Sequence, residues 1–131
     1  ERLEWVGLPG IEEMKPASLS GGMRKRVGLA RAIAIDPAYI LYDEPTTGLD
    51  PIMSDVINRL IRSLQQRIGV TSIVVTHDLH SAFTVGDRMA MLHEGRVVFT
   101  GSAEETRTTS DARVRQFIEG SSVGPLTNGV A

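Results

Sequence analysis

Two short apolar runs, 39–42 and 71–76, flank one long amphipathic stretch, and that arrangement leaves few folds open. Tyr39-Ile40-Leu41-Tyr42 ends in Asp43-Glu44, while Thr71 to Thr76 is β-branched apart from Ser72 and ends in His77. Both read as buried strands. Between them, Asp50-Pro51 is a helix start, an N-cap followed by Pro at the first helical position. Met53, Val56, Ile57, Leu60, Ile61 and Leu64 then make one apolar stripe, and Gly69 is the stop. Strand, helix, strand in this order implies a crossover, so the two strands lie parallel in an α/β sheet. Ligands bind such sheets at the carboxyl ends of the strands. Asp43, Glu44 and His77 all fall there.

The remaining segments read in the same way. Residues 1–17 suggest a short helix end and a loop punctuated by Pro9-Gly10 and Pro16. Ser20 is an N-cap for a helix with Met23, Val27, Ala30 and Ala34 on one face, closed by Asp36-Pro37. Arg24, Lys25, Arg26 and Arg31 occupy its other faces. A further helical stretch runs from Asp78 to about residue 85. Segments 88–92 and 96–100 flank His93-Glu94-Gly95 as a hairpin. Ser102 with Glu105 is a capping box, and Ser110 can cap a last helix carrying Val114, Phe117 and Ile118. From Gly120 the chain is Gly/Ser/Pro-rich and expected to be loose, with Val123, Pro125, Leu126 and Val130 available to a partner.

Composition removes whole classes. With 14 basic and 16 acidic residues the net charge is −2, which argues against binding nucleic acid through bulk positive charge. No apolar run approaches the ~20 residues of a membrane-spanning helix. The absence of Cys excludes disulfide scaffolds and thiolate metal sites. The opening residues, Glu1-Arg2-Leu3-Glu4-Trp5, lack the apolar core of a signal peptide.

Four motifs carry chemistry. Leu19-Ser20-Gly21-Gly22-Met23 opens a helix with bare N–H groups and the positive dipole end, where an anion can dock. Asp43 is a hard oxygen donor suited to Mg²⁺, and Glu44 can orient and polarise an attacking water. Thr47-Gly48-Leu49-Asp50 precedes the second helix, and Thr76-His77-Asp78 follows the second strand. Singly, each has an ordinary structural explanation: a capped helix, a solvated acidic turn, a helix cap, a structural histidine.

In this order and spacing, residues 18 to about 101 resemble the C-terminal part of an ABC-transporter ATPase. The resemblance implies an α/β, RecA-like P-loop NTPase fold, mainly parallel sheet with flanking helices, in residues 1–119, with 120–131 as a flexible tail. It implies ATP and Mg²⁺ as ligands. Ser20, Gly21 and Gly22 would belong to the signature motif, which grips the γ-phosphate of ATP held by a second subunit. Asp43 would be the Walker B acid and metal ligand, Glu44 the general base, Asp50 part of the D-loop, and His77 the switch histidine. Two departures stand out. Met23 replaces the usual Gln, and no G-x-x-x-x-G-K-[ST] phosphate loop is present, so the Walker A half is absent and the chain alone is expected to be inactive.

Met23 in the signature and the ending Val114-Arg115-Gln116-Phe117-Ile118-Glu119-Gly120, followed by Gly124-Pro125, look like the ATPases of MCE/Mla-type phospholipid transporters. That narrower resemblance implies a homodimer on an integral-membrane permease, with MCE-type lipid-binding and small accessory subunits and no nucleic acid. Its place would be the cytoplasmic face of the inner membrane. A non-transport ABC ATPase of translation or DNA repair, and a non-catalytic fragment acting as a binding module, are the alternatives.

Overall fold

Asp50 begins the helix that organises the first half of the molecule. In the computed structural model, which describes residues 1–127, its Oδ1 accepts from the backbone N–H groups of Ile52 and Met53 at 3.0 Å each. Helix α3 (Pro51–Ile68) follows, with Gly69 at φ 64 as its left-handed C-cap. The chain divides into two compact units, Glu1–Val85 and a second from Gly86. The first holds α1 (Arg2–Trp5), a 3-10 turn (Pro16–Ser18), α2 (Gly21–Ala32), β1 (Tyr39–Asp43), α3, β2 (Thr71–Val75) and α4 (Leu79–Val85).

One face of α3 buries Ile57, Ile61 and Leu64, each at most 2% exposed. They join Leu29 and Ala30 of α2, then Ile33, and Ile40 and Tyr42 of β1. Full burial of such a side chain stabilises by about 1.5–3 kcal/mol. The stripe differs from its expected membership: Val56 is exposed, while Ser54 and Asn58 are buried. Asn58 is tolerated inside because its amide donates to Ser81 (2.9 Å), a pairing that apolar periodicity does not register.

Helix α2 starts as expected, with Ser20 Oγ accepting from Met23 N at 3.2 Å. It ends at Ala32, before Asp36-Pro37, so Ala34 lies beyond it and is exposed. Leu29 and Ile33 face the core instead. The segment 27–35 is apolar on both sides of Arg31, so its pattern alone leaves the buried face open. Gly22 marks the close approach of the two helices: a Cβ there would sit 2.7 Å from Met53 Cε.

Strands β1 and β2 pair in parallel, with Tyr39 opposite Thr71 and Asp43 opposite Val75. The expectation of two fully buried strands is corrected here. Ile40 and Tyr42 face the core, but Tyr39, Leu41, Ile73 and Val75 are 56–76% exposed. An apolar run specifies that a strand prefers burial; it does not say which faces the neighbouring elements cover.

The second unit contains β3 (Arg88–His93), β4 (Arg96–Ser102), α5 (Ala103–Thr108) and α6 (Ala112–Glu119). The hairpin is antiparallel, with His93 opposite Arg96 across a two-residue turn. Glu94 and Gly95 take φ 48 and 72, the mirror-image turn that suits strand twist. The capping box is complete: Ser102 Oγ accepts from Glu105 N (3.1 Å) and Glu105 Oε2 from Ser102 N (2.7 Å). The cap of α6 is Asp111 rather than Ser110, accepting from Arg113 N at 2.9 Å. Asp111 wins because its carboxylate also takes the Arg113 guanidinium (2.7 Å), which holds its pKa down at about 2. Residues 121–127 of the segment expected to be loose turn back on α6. There Gln116 Nε2 donates to Ser121 O and Thr127 Oγ1 (3.1 Å each), and Leu126 N donates to Gln116 Oε1 (2.7 Å). Val130 lies outside the described residues.

Candidate active site

The carboxyl ends of β1 and β2 meet at Glu44. Its N–H donates to Val75 O at 2.9 Å, extending the parallel ladder by one bond. Its φ of 45 then lies in the left-handed region, which disfavours a residue with a Cβ. Four contacts hold that conformation. Oε1 accepts from His77 N (3.1 Å) and from His77 Nδ1 (2.8 Å). Oε2 accepts from Thr47 Oγ1 (3.1 Å), and the Glu44 carbonyl accepts from Lys25 Nζ (3.4 Å). A non-glycine residue kept at positive φ by such over-determination is characteristic of sites where geometry matters more than backbone comfort.

The His77 hydrogen bond, helped by Thr47, holds the Glu44 carboxyl below its ordinary range. Glu44 in turn raises the His77 imidazole. Both side chains reach solvent, so the pair adds little to stability and its value lies in geometry. Proton assignments follow from the inventory of donors. An ionised carboxylate only accepts, so Nδ1 of His77 carries the hydrogen. Nε2 then donates outward only when the ring is protonated. Of the carboxylate's roughly four acceptor sites three are taken, leaving one on Oε2 for a water.

Asp43 ends β1, exposed, and its carboxylate makes no side-chain hydrogen bond among the described residues. Nor do these residues contain a cluster of three or more His, Asp or Glu able to hold a metal by themselves. One free carboxylate fits Mg²⁺, which keeps several waters and takes other ligands from a substrate's phosphates. The Asp50 carboxylate is engaged in capping α3. Ser20 caps α2 through Oγ, leaving its hydroxyl hydrogen available.

Glu44, Thr47 and His77 are thus in direct contact. Gly21, Arg24, Lys25 and Gly28 of α2 line an open cleft of about 390 Å³ together with Thr47, Gly48 and Leu49. No hydrogen bond joins Ser20, Gly21 or Gly22 to Glu44 or His77 among the described residues. Lys25 and Thr47 are additions to the expected set. Lys25 is one of several exposed-looking cations on α2, and no spacing rule distinguishes it. Asp78, one residue past His77, is lowered from the ordinary Asp range by its bond to Ser81 (2.6 Å).

The family model described as ABC transporter matches residues 1–47, a span that includes Ser20, Gly21, Gly22, Asp43 and Glu44. The chain is 44% identical over 125 residues to the intermembrane phospholipid transport system ATP-binding protein MlaF of Haemophilus influenzae, covering 95% of the chain and 47% of that protein. The chain thus aligns over nearly its whole length with ABC-transporter ATP-binding proteins. It is also 44% identical over 126 residues to the probable ribonucleotide transport ATP-binding protein mkl of Mycobacterium leprae, covering 96% of the chain and 36% of that protein. Among solved structures, an ATP-binding cassette of an ABC transporter in its ADP conformation superposes with a TM-score of 0.78 at 26% identity, over 92% of the chain and 48% of its own length. CbiO1 from Clostridium perfringens, part of the ABC transporter complex cbiONQ, superposes with a TM-score of 0.77 at 31% identity, over 84% and 44%. The chain spans about half the length, or less, of the curated relatives it matches. No helix among its described residues is long and apolar enough to cross a membrane.

Proposed function

We propose that the segment supplies the hydrolytic edge and signature helix of an ATP-binding subunit that powers phospholipid movement through a membrane permease. The observation that carries the reading is the Glu44–His77 pair at 2.8 Å where β1 and β2 end. Residues 1–119 form the C-terminal part of the ATPase domain. Glu44 is the general base: its free Oε2 site accepts a proton from the attacking water, while His77 and Thr47 keep the carboxylate oriented. Protonated His77 donates from Nε2 to a γ-phosphate oxygen. Asp43 holds Mg²⁺, directly or through water; the ion, when bound, neutralises charge on the phosphates. Ser20, Gly21 and Gly22, at the N-terminus of α2, grip the γ-phosphate of ATP held by the partner subunit, with Asp50 in the adjoining D-loop. Catalysis on this scheme is positioning and electrostatics.

Two such subunits close head to tail on the cytoplasmic face of the inner membrane, peripheral to the permease and with MCE-type and small accessory subunits alongside. Phospholipid as cargo draws support from the MlaF likeness. Ribonucleotide is the second reading, because the mkl likeness is equally strong. The deciding experiment uses the full-length subunit with its permease in lipid vesicles. ATP-dependent transfer of labelled phospholipid between vesicles supports the first reading. ATP-dependent accumulation of labelled ribonucleotide without lipid transfer supports the second.

A further inference from the structure

Behind the Glu44–His77 pair lies a buried polar cluster that neither motif reading nor fold accounts for. Ser81 and Asn58 are fully buried and Thr46 is 6% exposed. Ser81 Oγ lies 2.6 Å from Asp78 Oδ2, 2.9 Å from Asn58 Nδ2 and 3.3 Å from Thr46 Oγ1. The hydrogens can be assigned in one way. Asp78 is ionised and only accepts, so Ser81 gives it its single hydrogen. Ser81 Oγ is then an acceptor toward both Thr46 and Asn58. The reversed Asn58 amide would set oxygen against oxygen, which fixes its orientation. Asn58 Oδ1 is left buried without a partner, a cost that a purely stabilising arrangement would avoid by using an apolar residue.

The three partners of Ser81 come from three segments. Thr46 is two residues past Glu44, Asp78 is next to His77, and Asn58 belongs to α3. We propose that Ser81 is a positioning residue which, through Thr46, Asn58 and Asp78, holds the loop bearing His77 against the loop bearing Glu44. The proposal rests on the reading of Glu44 and His77 as the hydrolytic pair. Neither Ser81 nor its partners Thr46 and Asn58 touch the reacting atoms in that scheme; they act by keeping the pair in register, where a displacement near 1 Å can cost up to ~10²-fold in rate.

The test measures steady-state ATP hydrolysis by the full-length subunit in its transporter, with kcat and KM for ATP read separately. Ser81→Ala and Thr46→Val should each lower kcat about tenfold while KM stays within about twofold. Thr46→Ser, which keeps the hydroxyl and loses only a methyl, should stay within about threefold of the parent. A role in packing alone predicts the reverse order, because Val preserves the shape of Thr and Ser does not. That reverse order, or Ser81→Ala turning over at the parent rate, overturns the proposal. Should Ser81→Ala fail to fold, the two Thr46 variants decide by themselves. Glu44→Gln serves as the control for the underlying reading. If Glu44→Gln is inactive while Ser81→Ala and Thr46→Val are unchanged, only the positioning role fails. If Glu44→Gln hydrolyses ATP normally, the assignment of the pair fails.

Discussion

In the unit from Gly86 the turn and the caps follow local rules, although the hairpin ladder shifts register between Met91 and Leu92 and leaves Leu92 and Val97 exposed. The hairpin turns through two residues at positive φ, α5 opens on a complete capping box, and α6 opens on an Asp that also pairs with Arg113. In Glu1–Val85, α2 and α3 are capped as well, but other rules are broken. Glu44 sits at positive φ outside any hairpin turn, and Asn58 buries an unpartnered carbonyl. Every residue assigned to chemistry lies in that unit. Natural sequences keep their levels of organisation consistent except where function demands otherwise. The contrast therefore points to Glu1–Val85 as the part held in place for its geometry.

The largest effect on folding should come from the core that supports the strained site. Ile57→Ala removes a fully buried side chain from α3 and should destabilise the subunit by about 2–5 kcal/mol in urea unfolding. A loss below ~1 kcal/mol would mean that α3 does not organise this unit.

A matched pair of caps sharpens the comparison. Asp50→Ala and Ser102→Ala each delete an N-cap side chain that accepts backbone N–H, and each should cost about 0.5–2 kcal/mol. Only Asp50→Ala should also lower ATP turnover, because Asp50 closes the loop that borders the cleft opposite α2. Equal turnover in the two variants would erase the functional distinction between the units.

The smallest effect is electrostatic. Glu44, with a lowered pKa, contributes stability present above its ordinary value and lost as pH falls through the lowered one. His77, with a raised pKa, contributes stability fully present below its ordinary value and lost as pH rises through the raised one. Both contributions are complete between about pH 4.5 and 6.5. The melting temperature of His77→Ala should fall furthest below the parent in that window and converge with it on either side. The same titration bears on function: Nε2 loses its outward hydrogen as pH rises through the raised value, so ATP-dependent pairing of subunits should weaken there. A melting difference independent of pH would break the coupling of the two side chains.

Much of this was legible from residue order. Asp50-Pro51, Gly69, Ser102 with Glu105 and the hairpin turn are local signals, settled within four or five residues, and they appear where the chemistry of caps and turns puts them. The convergence of Glu44 and His77 followed from strand polarity alone. What could not be read depended on tertiary partners. Where α2 ends could not be read from its apolar spacing, and beyond Ala32 it is Ile33 that is buried while Ala34 is exposed. Asn58 and Ser81 look like surface polar residues until the elements that pair them are packed together. The return of 121–127 onto Gln116 depends on a single buried amide that no periodicity announces.

The central claim is that Glu44 removes the proton from the water that attacks ATP. Glutamine at this position preserves size and one acceptor oxygen but takes no proton, so the full-length Glu44→Gln subunit should bind ATP and lose turnover by at least ~10²-fold. Gel filtration in ATP and Mg²⁺ should then find it accumulating as an ATP-bound dimer. Hydrolysis by Glu44→Gln near the parental rate would contradict the account.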